Sequence, residues 1–189
     1  MVLAGSTRAK SVHRQLARRI VQLLQDVGAT ATFADLRDFP LPLYDADLEA
    51  EHGLPANALR LKEFARRADA FVIASPEYNG SYPAVLKNAI DWISRPAAGE
   101  PALAVLRGKP AAILSATPGP HGGSRVLKQL RELLEMIHVC VLPEQLGIPD
   151  SAHAFDEAGN LMRPGDAAAL QSLMQSVVRA AAPACSAAA

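Results

Sequence analysis

Ser6, Arg8 and Ser11 follow directly on the apolar run Val2-Leu3-Ala4 and a glycine at position 5, and an amphipathic helical pattern begins at Val12. Two hydroxyls and a guanidinium at the start of a helix can hold an oxyanion. The first N–H groups of a helix lack intrahelical partners and sit at the positive end of its dipole. Arg8 adds a charged fork, and Gly5 lets the backbone turn and come close to a ligand. The stretch Gly5-Ser6-Thr7-Arg8-Ala9-Lys10-Ser11-Val12-His13 matches neither GxGxxG nor GxxxxGK[ST], the usual dinucleotide and nucleoside triphosphate fingerprints. A single phosphate monoester is the expected ligand. The same residues also read as a plain strand-to-helix connection in which serine and glycine only cap.

Two further loops have unusual composition. Ser75-Pro76-Glu77-Tyr78-Asn79-Gly80-Ser81-Tyr82-Pro83 combines prolines, tyrosines and a glycine, and can offer rigid backbone N–H and C=O groups with an aromatic edge. Ser115-Ala116-Thr117-Pro118-Gly119-Pro120-His121-Gly122-Gly123 has glycines that let the backbone lie against a flat ligand. A phosphate at one end and a polar-edged planar ring at the other describe a mononucleotide, and flavin mononucleotide (FMN) fits.

The elements that must position these loops are legible as short apolar runs: Val2-Leu3-Ala4, Thr30 to Ala34, Ala70 to Ala74, Ala111 to Leu114 and Val139 to Leu142. They are continuously apolar, as expected for parallel strands covered by helices on both faces. Between the first two, Val12, Leu16, Ile20, Leu23 and Val27 keep helical spacing, with Arg14, Arg18, Gln22 and Gln25 on the other side and Gly28 as the stop. Pro83 opens a helix through Leu86, Ile90 and Ile93 that Arg95-Pro96 ends; Leu127, Leu130, Leu134 and Ile137 mark another; a last helix spans Asp166 to Ala181. The alternation predicts an α/β fold, a flavodoxin-like doubly wound five-stranded parallel sheet of order 2-1-3-4-5. Ligands of such sheets bind beyond the carboxyl ends of the strands, where the loops after the first, third and fourth strands converge. A single domain over 1–182 and a flexible tail over 183–189 are expected. Asp38 to Asp45 reads as a packed surface connection, and Leu146 to Arg163 as a long irregular one.

Composition narrows the function. Among 189 residues, 19 Lys+Arg balance 19 Asp+Glu, so there is no basic surplus for nucleic acid. Cys140 and Cys185 lie far apart and form no CxxC pair, and no apolar run approaches the roughly 20 residues of a membrane span. A cytoplasmic protein with neither nucleic-acid nor membrane partner is expected.

The motifs resemble those of the NAD(P)H-dependent FMN reductases, the flavodoxin-like group that includes bacterial quinone, azo and chromate reductases. The family pattern Gly-Ser-x-Arg-x-x-Ser-x-Asn-x-x-Leu-Ala appears as Gly5 to Ala17, with His13 in place of the asparagine. A second, highly specific motif is Pro76-Glu77-Tyr78-Asn79-Gly80-Ser81-Tyr82-Pro83 followed by Leu86-Lys87-Asn88-Ala89-Ile90-Asp91-Trp92. Ser115 to Arg125, and Leu142-Pro143-Glu144 through Phe155 to Gly159, also resemble the family. The resemblance implies that Ser6, Arg8, Ser11 and His13 surround the FMN phosphate, that Pro76, Glu77, Tyr78, Asn79 and Gly80 run along the isoalloxazine, and that Ser115, Gly119 and Gly122 close the other side. It implies NADPH or NADH as co-substrate and a homodimer or homotetramer in which the helix of Asp91 and Trp92 joins the interface. The implied chemistry is hydride transfer to flavin N5, then reduction of a quinone, azo or nitro compound, free flavin or metal oxyanion at the same site. No catalytic acid or base and no metal ligand is expected.

Other readings stand beside these. A flavodoxin-type electron carrier would bind FMN without oxidising NAD(P)H, but such carriers are usually strongly acidic; a scaffold that had lost the cofactor would not need Ser6, Arg8 and Ser11. Glu77 also reads as a local cap or ion-pair partner, and Tyr78 as ordinary packing. His121 reads as a substrate contact or as a plain loop residue, and Trp92 as core or interface. Arg125, Lys128 and Arg131 read as a contact for the phosphate of NADPH or, more usually, as a solvated helix face, His52, His138 and His153 lack metal-ligand spacing, and Cys140 reads as a buried strand residue rather than a reactive thiol.

Overall fold

In the computed structural model, which describes residues 1–97, 99–157 and 159–182, strands and helices alternate in three layers. The expected tail 183–189, Cys185 within it, and Ala158 lie outside the described residues. Strands β1 (Val2–Ala4), β2 (Phe33–Asp35), β3 (Phe71–Ala74), β4 (Pro110–Ala116), β5 (Cys140–Val141) and β6 (Leu146–Ile148) form one parallel sheet of order β2-β1-β3-β4-β5, and β6 also pairs with β4. The predicted order therefore holds, with one strand more than expected. Pro110 and Ala111 pair with β5 and Leu114 to Ala116 with β6, so two short strands share one edge position along the longest strand. The segment read as irregular from Leu146 onward thus begins as a strand. The second strand lies later than predicted, at Phe33–Asp35 rather than Thr30 to Ala34; the register pairs Val2 with Phe33 and leaves Thr30 to Thr32 before the ladder.

Both faces of the sheet are buried, the reason its strands are continuously apolar. Leu3, Phe71, Ile73, Ala111 and Ile113 face one core with residues of α3 (Ala56–Arg67), α4 (Ala84–Ser94) and α5 (Ser124–Met136). Val2, Ala4, Val72, Ala112 and Leu114 face the other, with α1 (Val12–Asp26) and α6 (Pro164–Ala181). On α1 the buried stripe is His13, Arg14, Leu16, Ala17, Ile20 and Leu24. The stripe runs about one residue away from the predicted one: Val27, expected inside, is 43% exposed, and Arg14, expected outside, is buried. Hydrophobicity alone assigned Arg14 to solvent, whereas a buried carboxylate, Asp35, draws it inward. Cys140 is exposed and not buried as expected, because it lies on the edge strand β5, where Val141 is the residue packed against the core and Val139, just before the strand, is the buried one.

The chain between β2 and β3 contains a 3-10 turn at Leu36–Asp38, α2 (Ala46–His52) and α3, helices that the apolar spacing did not reveal. The proline-rich connection around Pro42 is packed, as predicted. The Pro42 carbonyl accepts hydrogen bonds from Asn88 Nδ2 and Trp92 Nε1, both at 2.8 Å, and the Tyr44 ring meets the Trp92 ring edge-on at 5.1 Å. Trp92 is wholly buried within the single chain. Lys62, also buried, donates through Nζ to the Ile93 carbonyl at 3.1 Å and to that of Arg95, satisfying the last turn of α4. These contacts fix α4, whose amino end carries the tyrosine-rich loop to the carboxyl edge of the sheet.

Candidate functional site

Three backbone bonds extend the sheet past its strands: Gly5 N–H to the Ala74 carbonyl at 2.8 Å, Ser75 N–H to that of Leu114 at 2.8 Å and Thr117 N–H to that of Ile148 at 3.0 Å. The loops after β1, β3, β4 and β6 consequently leave from one rim. The first three are those the sequence singled out, and the fourth is an addition.

In the first loop Ser6 and Ser11 are buried and Thr7 to Lys10 are exposed. Ser11 occupies the N-cap of α1, yet its hydroxyl makes no capping bond, and no acidic residue lies in the first turn. A helix start with bare N–H groups, no neutralising carboxylate and two serines beside it retains its affinity for an anion. Arg8 stands at the lip, close enough for its charge to act on His13. His13 is buried, and its Nε2 accepts the Ala116 N–H at 3.0 Å. With Nε2 as acceptor the ring proton sits on Nδ1. Burial, reinforced by Arg8, pushes the imidazole down to about 4, so at neutral pH it carries no charge. The residue that replaces asparagine is therefore a neutral tie between α1 and the end of β4.

The second loop closes on a tight hairpin. Tyr78 N–H donates to Ser81 O at 2.9 Å and Ser81 N–H returns to Tyr78 O at 3.0 Å, while Asn79 (φ 52°) and Gly80 (φ 78°) occupy the left-handed region. Positive φ at both central positions is why Asn-Gly stands there. The turn lifts Tyr78 out, 53% exposed, at the rim. Three bonds strap the loop to α5: Val126 N–H to Glu77 Oε2 at 3.2 Å, Gln129 Nε2 to Gly80 O at 2.9 Å, and Ser81 Oγ to Gln129 Oε1 at 2.6 Å. Glu77 thus supplies α5 with the N-terminal cap that its own N-cap, Gly123, cannot. Gln129 carries no motif and was missed by sequence reasoning.

The third loop is set by glycines. A Cβ on Gly122 (φ +57°) would lie 2.6 Å from the Gly147 carbonyl carbon, and one on Gly123 (φ +81°) would lie 2.1 Å from Ser115 Oγ. The loop therefore rests directly on β6 and on Ser115, and Gly147, a position no motif marked, is the other half of the contact. Ser115 is wholly buried beneath Gly123, with no partner for its hydroxyl. Gly119 has open space around it, and His121 is exposed. The loop after β6 joins this one through Ser151 N–H to Thr117 O at 3.0 Å and Asp150 N–H to Gly119 O at 3.4 Å.

A cavity of about 350 Å³ opens beside Thr7, walled by Leu36, Phe39, Leu41, Val85 and Ala89. A larger one, about 570 Å³, lies at the opposite, amino end of the strands between Met1, Val72 and Val177, away from the rim. No cluster of three or more potential metal ligands exists among the described residues, and none of their helices is long and apolar enough to cross a membrane.

The layers, the sheet order and the loop rim define a flavodoxin-like α/β protein, and an archaeal flavodoxin shares the fold alone, with a TM-score of 0.62 at 11% identity over 95% of this chain and 96% of that one. The sequence matches the family of NADPH-dependent FMN reductases over residues 1–153, and the chain belongs to that family. It is 40% identical over 152 residues to a quinone reductase of Escherichia coli strain K12, covering 78% of this chain and 76% of the relative. It is 39% identical over 162 residues to an NAD(P)H-dependent FMN reductase of Pseudomonas aeruginosa, covering 85% and 82%. Among solved structures, the flavoenzyme NAD(P)H:(acceptor) oxidoreductase FerB of Paracoccus denitrificans superposes with a TM-score of 0.80 at 32% identity over 95% of this chain and 94% of that one. The protein is accordingly an enzyme of the flavin oxidoreductase class, and its family implies FMN and NAD(P)H.

Proposed function

We propose that this chain binds FMN at the rim and uses it to carry electrons from NADPH or NADH to a quinone or another small acceptor. The observation that carries the reading is the bare amino end of α1, where buried Ser6 and Ser11 and exposed Arg8 lie in the turn that leads into uncapped N–H groups. That donor set fits a phosphate monoester. Ser6, Arg8 and Ser11 bind the phosphate, and His13, fixed by Ala116, offers a neutral Nδ1–H. Pro76, Glu77, Tyr78, Asn79 and Gly80 border one side of the ring, held in place by α5; Gly119 and Gly122 border the other, with Ser115 supporting the loop from below. When bound, FMN would supply the redox chemistry, accepting hydride from NAD(P)H and delivering electrons to a quinone, azo or nitro compound, free flavin or metal oxyanion.

The protein's part is alignment, which can lower a barrier by roughly 7–11 kcal/mol in favourable cases. No side chain is assigned as acid or base. Exposed Tyr78 at the hairpin tip limits the approach to the ring, and the rigid turn keeps that limit constant. The enzyme works in the cytoplasm as a homodimer or homotetramer in which α4 contributes to the interface; since Trp92 is wholly buried in one chain, Asp91 and the exposed part of α4 supply that contact. A carrier that only passes electrons between proteins is disfavoured by the balanced charge. Purification and assay decide between them. A yellow protein that consumes NADPH or NADH with benzoquinone is expected; a yellow protein inert to both nicotinamides would leave the carrier reading.

A further inference from the structure

Arg14 is the one buried arginine of α1, its side chain 9% exposed and that of Asp35 10% exposed. Asp35 ends β2, and its Oδ2 accepts from Arg14 Nε at 2.8 Å and from Arg14 Nη2; its Oδ1 accepts the Arg37 N–H at 3.2 Å. The remaining arm of the guanidinium, Nη1, donates to the Ala9 carbonyl at 2.9 Å. Ala9 lies at the exposed crest of the turn between Arg8 and Lys10, where the other internal ties are Ser11 N–H to Arg8 O at 3.1 Å and Arg8 N–H to Ser6 Oγ at 3.4 Å. Among the described residues, the hydrogen bond from Arg14 Nη1 to the Ala9 carbonyl ties the crest of the turn through Asp35 to β2.

We propose that Arg14 is a positioning residue for oxyanion binding: held by Asp35, it braces the Ala9 carbonyl and so keeps Ser6, Arg8 and the free α1 N–H groups aimed at one point. Its own charge is neutralised by Asp35, so it acts on the anion through the turn and not as a direct ligand. A guanidinium suits this task because its donors lie in a fixed plane, and two arms can grip the carboxylate while the third reaches the carbonyl. Pinning the turn in advance lowers the ordering cost of binding. The inference rests on the reading of this turn as the FMN phosphate site.

The test compares FMN with riboflavin, which has the same ring and no phosphate, by fluorescence titration of flavin-free protein. Removing Arg14 alone would strand a buried carboxylate, so the main variant is the double substitution Arg14→Gln with Asp35→Asn, checked for an intact fold by circular dichroism; Arg14→Lys, which keeps the charge and loses the planar fork, is the second. The parent protein is expected to prefer FMN over riboflavin, and the double variant to lose about tenfold in FMN affinity, some 1.4 kcal/mol, while riboflavin affinity moves less than about twofold. Arg14→Lys should fall between. Full retention of the FMN preference in both variants, or equal losses for both flavins, would overturn the role of Arg14 and leave the FMN reading standing. A parent protein that binds both flavins equally would overturn the phosphate assignment itself.

Discussion

His13 and Ala116 are 103 positions apart, yet the imidazole Nε2 accepts the Ala116 N–H at 3.0 Å and ties the first turn of α1 to the end of β4. Burial and Arg8 depress the imidazole to about 4 against an ordinary 6.5, so the unfolded chain takes up a proton that the folded chain refuses between those values. Stability is full above about pH 6.5 and falls as pH drops toward 4. At 1.36 kcal/mol per pKa unit the loss is roughly 3 kcal/mol. His13→Asn, which restores the residue usual in the family pattern, is expected to flatten that part of a melting-temperature profile. An unchanged slope in the variant would assign the acid sensitivity elsewhere.

Arg8 is exposed at the lip of the turn, where its removal leaves the core intact. A charge-assisted hydrogen bond contributes about 1.5–3 kcal/mol, so Arg8→Ala should weaken FMN binding by about ten- to a hundredfold with little change in the thermal midpoint. Fluorescence titration beside a thermal melt checks both halves.

Gly122 is in contact with Gly147 backbone to backbone. Gly122→Ala would force a methyl to 2.6 Å from a carbonyl carbon at a left-handed φ, and no flexible side chain is there to yield. Strain of this kind costs on the order of 1–3 kcal/mol. For a chain of this size each kcal/mol lowers the melting temperature by about 2–4 °C. The expected fall, and a loss of flavin retention larger than that of Gly28→Ala, where a Cβ meets nothing within 4 Å, are read by calorimetry and absorbance.

Glu77 caps α5 from a neighbouring loop. Glu77→Gln keeps an acceptor for the Val126 N–H, whereas Glu77→Ala leaves that donor without one. The alanine variant should lose about 1 kcal/mol of stability and the glutamine variant less. Because the same cap holds the Tyr78 hairpin, reductase turnover is expected to follow the same order; equal turnover in the two variants would separate the hairpin from the cap.

Much of this protein was written in its local chemistry. Continuous apolar runs require a sheet covered on both faces, helical spacing places Leu86, Ile90 and Ile93 inward, and Asn79-Gly80 admits few conformations other than the turn observed. The motif residues Ser6, Arg8, Ser11 and Pro76 to Gly80 fall at the rim because strand ends lie there in any sheet of this order. What periodicity could not decide is where a polar side chain goes when a distant partner draws it inward. Arg14 reads as a solvent-facing residue until Asp35, 21 positions on, stands beside it; the helix that Glu77 caps is found only in the fold, which brings Val126 within reach; Gly147 and Gln129 have no signature at all. Hydrophobic spacing is a local property and survives in a string of letters. Hydrogen bonds and ion pairs depend on distances between segments remote in the chain, and only the folded molecule sets those.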